Sequence, residues 1–370
     1  MARMSEQPGG LAVPVVWSED CLRHAPGGEV WLGVRDQGTE VPARALALRD
    51  ALAAAGALIV PARPHGDEIL RAVHDPGLLD HLAGVWAAWE NEGYPAQHGR
   101  DRVVPYVFPT PGMLGGLELR VPPAVHGRAG LYCYDTMTLI GPDSWASIRG
   151  AADAALTAAD LVSGGAPLAY ALCRPPGHHV TRAAYGGSCY LNNAAVAAQA
   201  LRAAGAGRVA VIDIDAHHGN GTQMIFYARA DVFYGSVHID PGAGWFPHYA
   251  GYAGERGRDE GTGANRNLPL APGTGDEGWL AAVAALCAEA AAHRPDAVVV
   301  SLGLDAAESD PESRLRVSGH GYRRAARAAA ALGPTVLIQE GGYDLATLGP
   351  LAVAALSGAA SASHDRPSRT

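Results

Sequence analysis

A chain of 370 residues, 48% hydrophobic and 18% charged, can bury a large core as one big α/β domain or two ordinary ones, and does not have the composition of a disordered chain. Its formal charge of -9 offers no basic stripe and excludes a general nucleic-acid binder, and no apolar run reaches the ~18–20 residues of a membrane span. Cys21, Cys133, Cys173, Cys189 and Cys287 form no CxxC pair, and Met1 to Pro14 lacks a leader's apolar core, so no disulfide framework or thiolate zinc site is expected and a cytoplasmic location is.

In chain order, residues 1–12 read as a loose tail. Val13 to Trp17 reads as a strand, followed by a Gly- and Pro-rich loop from His24 to Gly38. Val41 to Gly56 is helical in pattern, Leu58 to Ala62 a strand, and Pro76 to Glu92 a helix carrying Trp86 and Trp89. Residues 93–130 are irregular, too long for an ordinary connection, and therefore of functional interest. The pattern then becomes regular. A helix is predicted from Ser144, as N-cap, to Val162, and a strand from Leu168 to Cys173. Arg174-Pro-Pro-Gly-His-His follows, then a helix from Asn192 to Ala204. Residues 208–215 and Val232 to His238 read as strands, and Pro241 to Gly275 as a long Gly-rich loop. Asp276 to His293 reads as a helix, Ala297 to Leu304 as a strand, Ser318 to Leu332 as a helix, Thr335 to Gln339 as a strand and Leu345 to Ser357 as a helix. Residues 359–370 are expected to be a frayed tail.

Strands alternating with helices, the strands continuously apolar, imply a mostly parallel sheet covered on both faces. No repeat or linker divides the chain, so one domain over residues 13–358 is expected. Sites in such sheets lie at the carboxyl ends of the strands. Five strands end in polar or special residues: His178-His179, Asp213-Asp215-His217, Ser236-His238, Asp305, and Glu340-Gly-Gly-Tyr343. They are expected to converge on one crevice.

The most informative stretch is Arg208 to Gln223, RVAVIDIDAHHGNGTQ. Residues i and i+2 of a strand share a face, so Asp213, Asp215 and His217 are expected on one side of the strand's exit. On a helix the same spacing would set neighbours about 200° apart. Asp215 and His217 supply two metal ligands, and Asp305, directly after AVVVSLGL, is the candidate third. Two carboxylates and one imidazole with one open position form a catalytic, not a structural, zinc arrangement. Asp305 as a plain cap of the next segment is the bland alternative.

His178 and His179 follow a rigid Pro-Pro-Gly turn. Each imidazole could be structural; together, facing a metal site, they read as a general base and its partner. Asp213 is placed to pair with one and Asn220 with the other. A carboxylate raises a histidine's pKa and a neutral amide adds no such charge, so the two should differ in basicity. Tyr343, on a Gly-Gly hinge, is either a buried helix-entry residue or a phenol donor aimed at a developing oxyanion.

RPPGHH, the 208–223 stretch, Ser236 to Asp240, LGLD with the following Asp310-Pro311, and EGGY together resemble the zinc-dependent histone deacetylase and acetylpolyamine amidohydrolase family. The likeness runs from about Val16 to about Leu356, and the bacterial acetylpolyamine amidohydrolases look most similar. The resemblance implies the arginase–deacetylase fold, an eight-stranded parallel sheet between helices. It implies one zinc ion on Asp215, His217 and Asp305, His179 as general base and acid, His178 as its electrostatic partner backed by Asp213, and Tyr343 as the carbonyl polariser. It further implies a structural K+ or Na+ near Asp213 and Ser236, and Asn220 matches the class II and polyamine branch. In bacterial polyamine enzymes the segments corresponding to 24–38 and 93–130 build a dimer interface and narrow the entrance, so a homodimer is expected.

Two departures bear on substrate. Family members line the acyl-lysine tunnel with two aromatic rings; here Phe246 fits one wall, while Ser188, next to Gly187, stands at the other, which implies a wider or differently shaped tunnel. Glu312 follows Asp310-Pro311, where the animal polyamine-selective deacetylase carries a Glu that favours cationic substrates. A solvated Glu312 neutralised by Arg314 or Arg316 is the plain alternative; Glu29 and Asp135 are weaker candidates for acidic rim residues. The reading is an enzyme, a deacetylase of small acetylated amines. Deacylation of protein lysine or of a secondary-metabolite intermediate, a non-catalytic acyl-amine-binding protein, and a two-manganese ureohydrolase are the alternatives.

Overall fold

The computed structural model describes residues 10–365. Its strands are β1 (Pro14–Trp17), β2 (Glu29–Trp31), β3 (Val34–Asp36), β4 (Leu58–Pro61), β5 (Leu168–Ala171), β6 (Val209–Asp213), β7 (Val232–Ile239), β8 (Asn265–Leu270), β9 (Ala297–Leu302) and β10 (Thr335–Gln339). The helices are α1 (Ala43–Ala54), α2 (Glu68–Val73), α3 (Pro76–Asn91), α4 (Pro111–Leu114), α5 (Val125–Tyr132), α6 (Ser144–Ser163), α7 (Asn193–Ala203), α8 (Asn220–Phe226), α9 (Asp276–Ala292), α10 (Gly319–Ala330) and α11 (Leu348–Asp365). Eight strands form one sheet in the order β4-β1-β5-β10-β9-β6-β7-β8, and every neighbouring pair is parallel.

The five strands β5, β10, β9, β6 and β7 are buried at every residue. That is why runs such as Ala297-Val-Val-Val-Ser-Leu302 show no alternation: both faces of the sheet are covered. Alanine-rich α6 and α7 pack together as one layer, and α1, α11, α10 and α9 follow one another as a second. The fold is therefore the eight-stranded parallel sheet between helices that the resemblance implied.

Several boundaries differ from expectation. The β6 strand ends at Asp213, not at residue 215, because the Asp213 carboxylate accepts the Asp215 N–H at 3.2 Å and turns the chain. The common face of Asp215 and His217 is thus made by this turn and not by strand pleating. The eighth strand, β8, lies inside the stretch read as a loop; it is an edge strand of sequence NRNLPL, only half-buried, and gives little apolar signal. The hairpin β2–β3 occupies the loop read at 24–38, α2 follows β4 unforeseen, and α4 and α5 interrupt the irregular 93–130 segment. Ser144 is the first helical residue and not the N-cap; its Oγ instead accepts Gly141 N–H and bonds His24 Nδ1, both at 2.8 Å. Residues 359–365, expected as tail, are the last turns of α11, with Ala359 and Ala362 buried in the core. At the other end Leu11 is buried and its N–H bonds Ala55 O at 2.8 Å. The rest of the two expected tails, residues 1–9 and 366–370, lies outside the described residues.

Candidate active site

The carboxyl ends of β5, β6, β9 and β10 meet at one buried cluster. Asp215, His217 and Asp305 each offer a ligand atom, all within 4.8 Å of one another. His217 Nδ1 lies 3.1 Å from Asp305 Oδ2 and 3.4 Å from Asp215 Oδ1. A tetrahedral ion with bonds of about 2.0–2.1 Å sets its ligands ~3.4 Å apart, so the spacing suits one small divalent cation. The remaining oxygens are held by backbone: Ala216 N–H donates to Asp305 Oδ1 and Gly341 N–H to Asp215 Oδ2, both at 2.8 Å. A Cβ on Gly341 would stand 2.4 Å from Asp305 Oδ2, and one on Gly303 2.1 Å from Asp215 Oδ2, so only glycines admit these carboxylates. Burial, and then the charge of Asp215, push the Asp305 carboxyl up, as befits two carboxylates crowded together. A divalent cation fits this donor set on both geometry and charge.

His178 and His179 leave β5 through a loop tied to β10. Glu340 Oε2 accepts the N–H groups of Gly177 and His178 at 2.7 and 3.1 Å. His178 Nδ1 bonds Asp213 Oδ2 at 3.1 Å, and its Nε2 is 3.7 Å from Asp215 Oδ1. His179 Nδ1 bonds Asn220 Oδ1 at 2.7 Å. The two imidazoles diverge as their partners dictate. Burial opposes the charge on His178, but Asp215 and Asp213 outweigh it and raise its pKa to about 10. For His179 burial, with the imidazoles of His178 and His217, holds the pKa well below the ordinary value. Asp213 also accepts from Tyr234 Oη at 3.1 Å, and its register neighbour Ser236 bonds His238 Nδ1 at 2.7 Å.

Tyr343 sits on the loop after β10 with the Arg44 guanidinium 4.6 Å over its ring. Its N–H donates to Asp310 Oδ2 at 2.6 Å, while Glu312 N–H donates to Asp310 Oδ1 at 3.0 Å, so one buried carboxylate fixes both loops. Phe246 meets His179 edge-on, centroids 4.7 Å apart, and lies nearly parallel to Tyr134 at 6.4 Å. A Cβ on Gly187 would fall 2.4 Å from His179 Cδ2 and 2.9 Å from Phe246 Cε1, so this glycine lies between them. Ser188, with φ of 60°, donates its N–H to Thr138 Oγ1 at 2.9 Å. It lines a small cleft with His24, Glu29, Met137 and Tyr190.

Glu312 is partly buried and accepts Thr39 Oγ1 at 2.8 Å; Arg314 and Arg316 are exposed, and among the described residues no ion pair joins a cation to Glu312. Glu29 stands close enough that burial, then Glu312, Asp135 and Asp36, raise its pKa. Asp135 is not a free rim acid: it accepts from Gly187 N, Met137 N, Thr138 N and Thr138 Oγ1 at 2.6–3.2 Å.

Sequence reasoning missed the groups that hold these loops. Buried Glu40 pairs with Arg44 at 2.9 Å and Arg174 at 2.8 Å. Arg44 also donates to the carbonyls of Gly342 and Glu340, at 2.5 and 2.8 Å, and Arg174 to those of Cys21 and His24, at 2.6 and 2.8 Å. The arginine of RPPGHH was visible, but nothing local marks Glu40 and Arg44 as its partners.

The histone deacetylase domain family matches residues 38–359, and the chain belongs to that family. It is 42% identical to acetylpolyamine amidohydrolase 1 of Pseudomonas aeruginosa over 93% of this chain and 97% of the relative. It is 39% identical to acetylpolyamine amidohydrolase of Mycoplana ramosa, covering 90% and 96%. The crystal structure of acetylpolyamine aminohydrolase from Burkholderia pseudomallei superimposes with a TM-score of 0.87 at 38% identity, covering 94% of this chain and 98% of that one.

Proposed function

We propose that this chain is a zinc-dependent deacetylase that hydrolyses acetylated polyamines to acetate and free amine. Support comes from relatives named acetylpolyamine amidohydrolase along nearly the whole chain. The observation that carries the reading is one buried cluster joining a Asp215–His217–Asp305 donor set to two imidazoles of opposed basicity.

Zinc, when bound by Asp215, His217 and Asp305, supplies Lewis acidity that makes water a nucleophile near neutral pH. His179 takes the proton of the attacking water at Nε2, since Nδ1 is engaged by Asn220. His178, paired with Asp213 at 3.1 Å, is the electrostatic partner of the charge that develops beside it. The Tyr343 hydroxyl donates to the oxyanion. His179 then returns the proton to the leaving nitrogen, giving amine and acetic acid, which leave as ammonium and acetate once the remaining proton is exchanged; Gly187 and Phe246 pack against His179 beside the reacting centre. A K+ or Na+ beside Asp213 and Ser236, a homodimer through the exposed apolar segment around Leu117 and Leu119, and a cytoplasmic setting complete the proposal.

Unpaired Glu312, with Glu29 nearby, favours a substrate whose distal end is an ammonium group. The test is amine release from acetylated putrescine, cadaverine and spermidine beside an acetyl-lysine peptide, with His179→Ala as control and metal counted by elemental analysis. Turnover of the polyamines with about one zinc per chain is expected, and two metals per chain would point to ureohydrolase chemistry. Glu312→Leu is expected to weaken polyamine turnover more than peptide turnover; equal losses would remove Glu312 from substrate selection.

A further inference from the structure

The orientation of one amide decides whether His179 can accept a proton at Nε2. Asn220 Oδ1 lies 2.7 Å from His179 Nδ1. With the amide oxygen facing it, Nδ1 carries the ring hydrogen and Nε2 keeps its lone pair. With the NH2 end facing it, Nδ1 becomes the acceptor, the hydrogen moves to Nε2, and the ring cannot take a proton there. Nothing in the imidazole selects between these.

Tyr134 does. Its hydroxyl donates to the carbonyl oxygen of His179 at 2.9 Å. The single hydroxyl hydrogen is thereby committed, and the phenol offers Asn220 only lone pairs. Asn220 Nδ2 lies 3.5 Å from that oxygen. A flipped amide would set Oδ1 against those lone pairs and lose the contact. Three bonds thus close a ring: His179 Nδ1–H to Asn220, Asn220 Nδ2–H to Tyr134, and Tyr134 O–H to His179. The phenol has a built seat. A Cβ on Gly186 would stand 2.4 Å from Tyr134 Cε2, so the ring fills space that only glycine leaves. Tyr134 N–H bonds Tyr185 O at 3.1 Å, and Tyr185 N–H bonds Tyr132 O at 2.7 Å, which pins the backbone on either side.

We propose that Tyr134 is a positioning residue for the deacetylation: its hydroxyl fixes the Asn220 amide and thereby the Nδ1–H tautomer of His179. This rests on the reading of His179 as the base. The prediction concerns coupling. A carboxylate at 220 presents an oxygen to Nδ1 whichever way it turns, so Asn220→Asp removes the need for Tyr134. Tyr134→Phe is expected to lower kcat about tenfold in the natural background, the scale of one lost hydrogen bond. KM should stay within about twofold and zinc per chain should not change. In the Asn220→Asp background the same substitution should cost less than about twofold. Selective 15N labelling of histidine in the zinc-loaded protein gives a second readout: His179 Nδ1 should show a protonated-type shift that moves toward a tautomer mixture in Tyr134→Phe. Equal kinetic losses in both backgrounds, or nitrogen shifts untouched by Tyr134→Phe, overturn the proposal. If the natural chain releases no amine from any acetylated substrate, the functional reading fails while the nitrogen shifts still decide the tautomer.

Discussion

In the proposed reaction Tyr343 and His179 divide the chemistry, and each is held by residues far away in sequence. Tyr343 hangs from Asp310 by its N–H and lies under Arg44, so its ring has little freedom although it follows two glycines. A donor held this firmly needs no reorganisation when an oxyanion forms. Tyr343→Phe is therefore expected to lower kcat by ~10²–10³ with little change in KM. Steady-state kinetics on an acetylated polyamine check this, and near-natural turnover would remove Tyr343 from the reaction. His74 offers a different lesson in imidazole control. Its Nδ1 bonds Thr181 O and its Nε2 accepts Asn192 N–H, both at 3.0 Å, an arrangement only the neutral ring satisfies. Burial lowers its pKa to about 4. Between about pH 6.5 and 4 the unfolded chain binds a proton at this site that the folded chain refuses. His74's contribution is thus complete above pH 6.5 and is lost as pH falls. The stability of the natural chain relative to His74→Gln should drop by about 1.4 kcal/mol per pH unit through that window. Urea midpoints at pH 7, 6 and 5 measure it; a constant difference contradicts the assignment.

At the scale of elements, four loops converge because one buried charge cluster binds them. Glu40 before α1 joins Arg44 of that helix to Arg174 after β5, and the two arginines then grip the Glu340–Gly342 loop and the 21–24 segment. Removing the carboxylate leaves two buried guanidinium groups uncompensated. Glu40→Gln should cost about 3–5 kcal/mol of stability, visible as a lowered urea midpoint, whereas an unchanged midpoint would mean that water or relaxation replaces the pair. Sequence made the site legible wherever chemistry clusters at a strand exit, as at 213–217, 178–179 and 340–343. It hid Glu40 and Arg44, because a charged pair at i and i+4 near a helix start looks like any solvated helix face. Tyr134 was hidden for a similar reason: its importance lies in a carbonyl and an amide supplied by residues 179 and 220. Among the strands, the buried parallel ones announced themselves by unbroken apolar runs. Edge strand β8 did not, since Asn265, Asn267 and Pro269 give it neither alternation nor continuous hydrophobicity.

For the whole molecule, the order of the sheet carries a practical consequence. The family match begins at residue 38, yet β1, residues 14–17, lies between β4 and β5 and pairs with both. A fragment cut at the family boundary would lose an interior strand, leave β4 without a neighbour, and expose the flank of β5 that is buried in the intact chain. It would also remove the Cys21 and His24 carbonyls that receive Arg174. A chain starting at residue 38 is therefore expected to be insoluble or to lose its metal binding, as solubility and elemental analysis of the fragment would report. For anyone trimming this enzyme for crystallisation or fusion, the edge of recognisable kinship is not the edge of the folding unit.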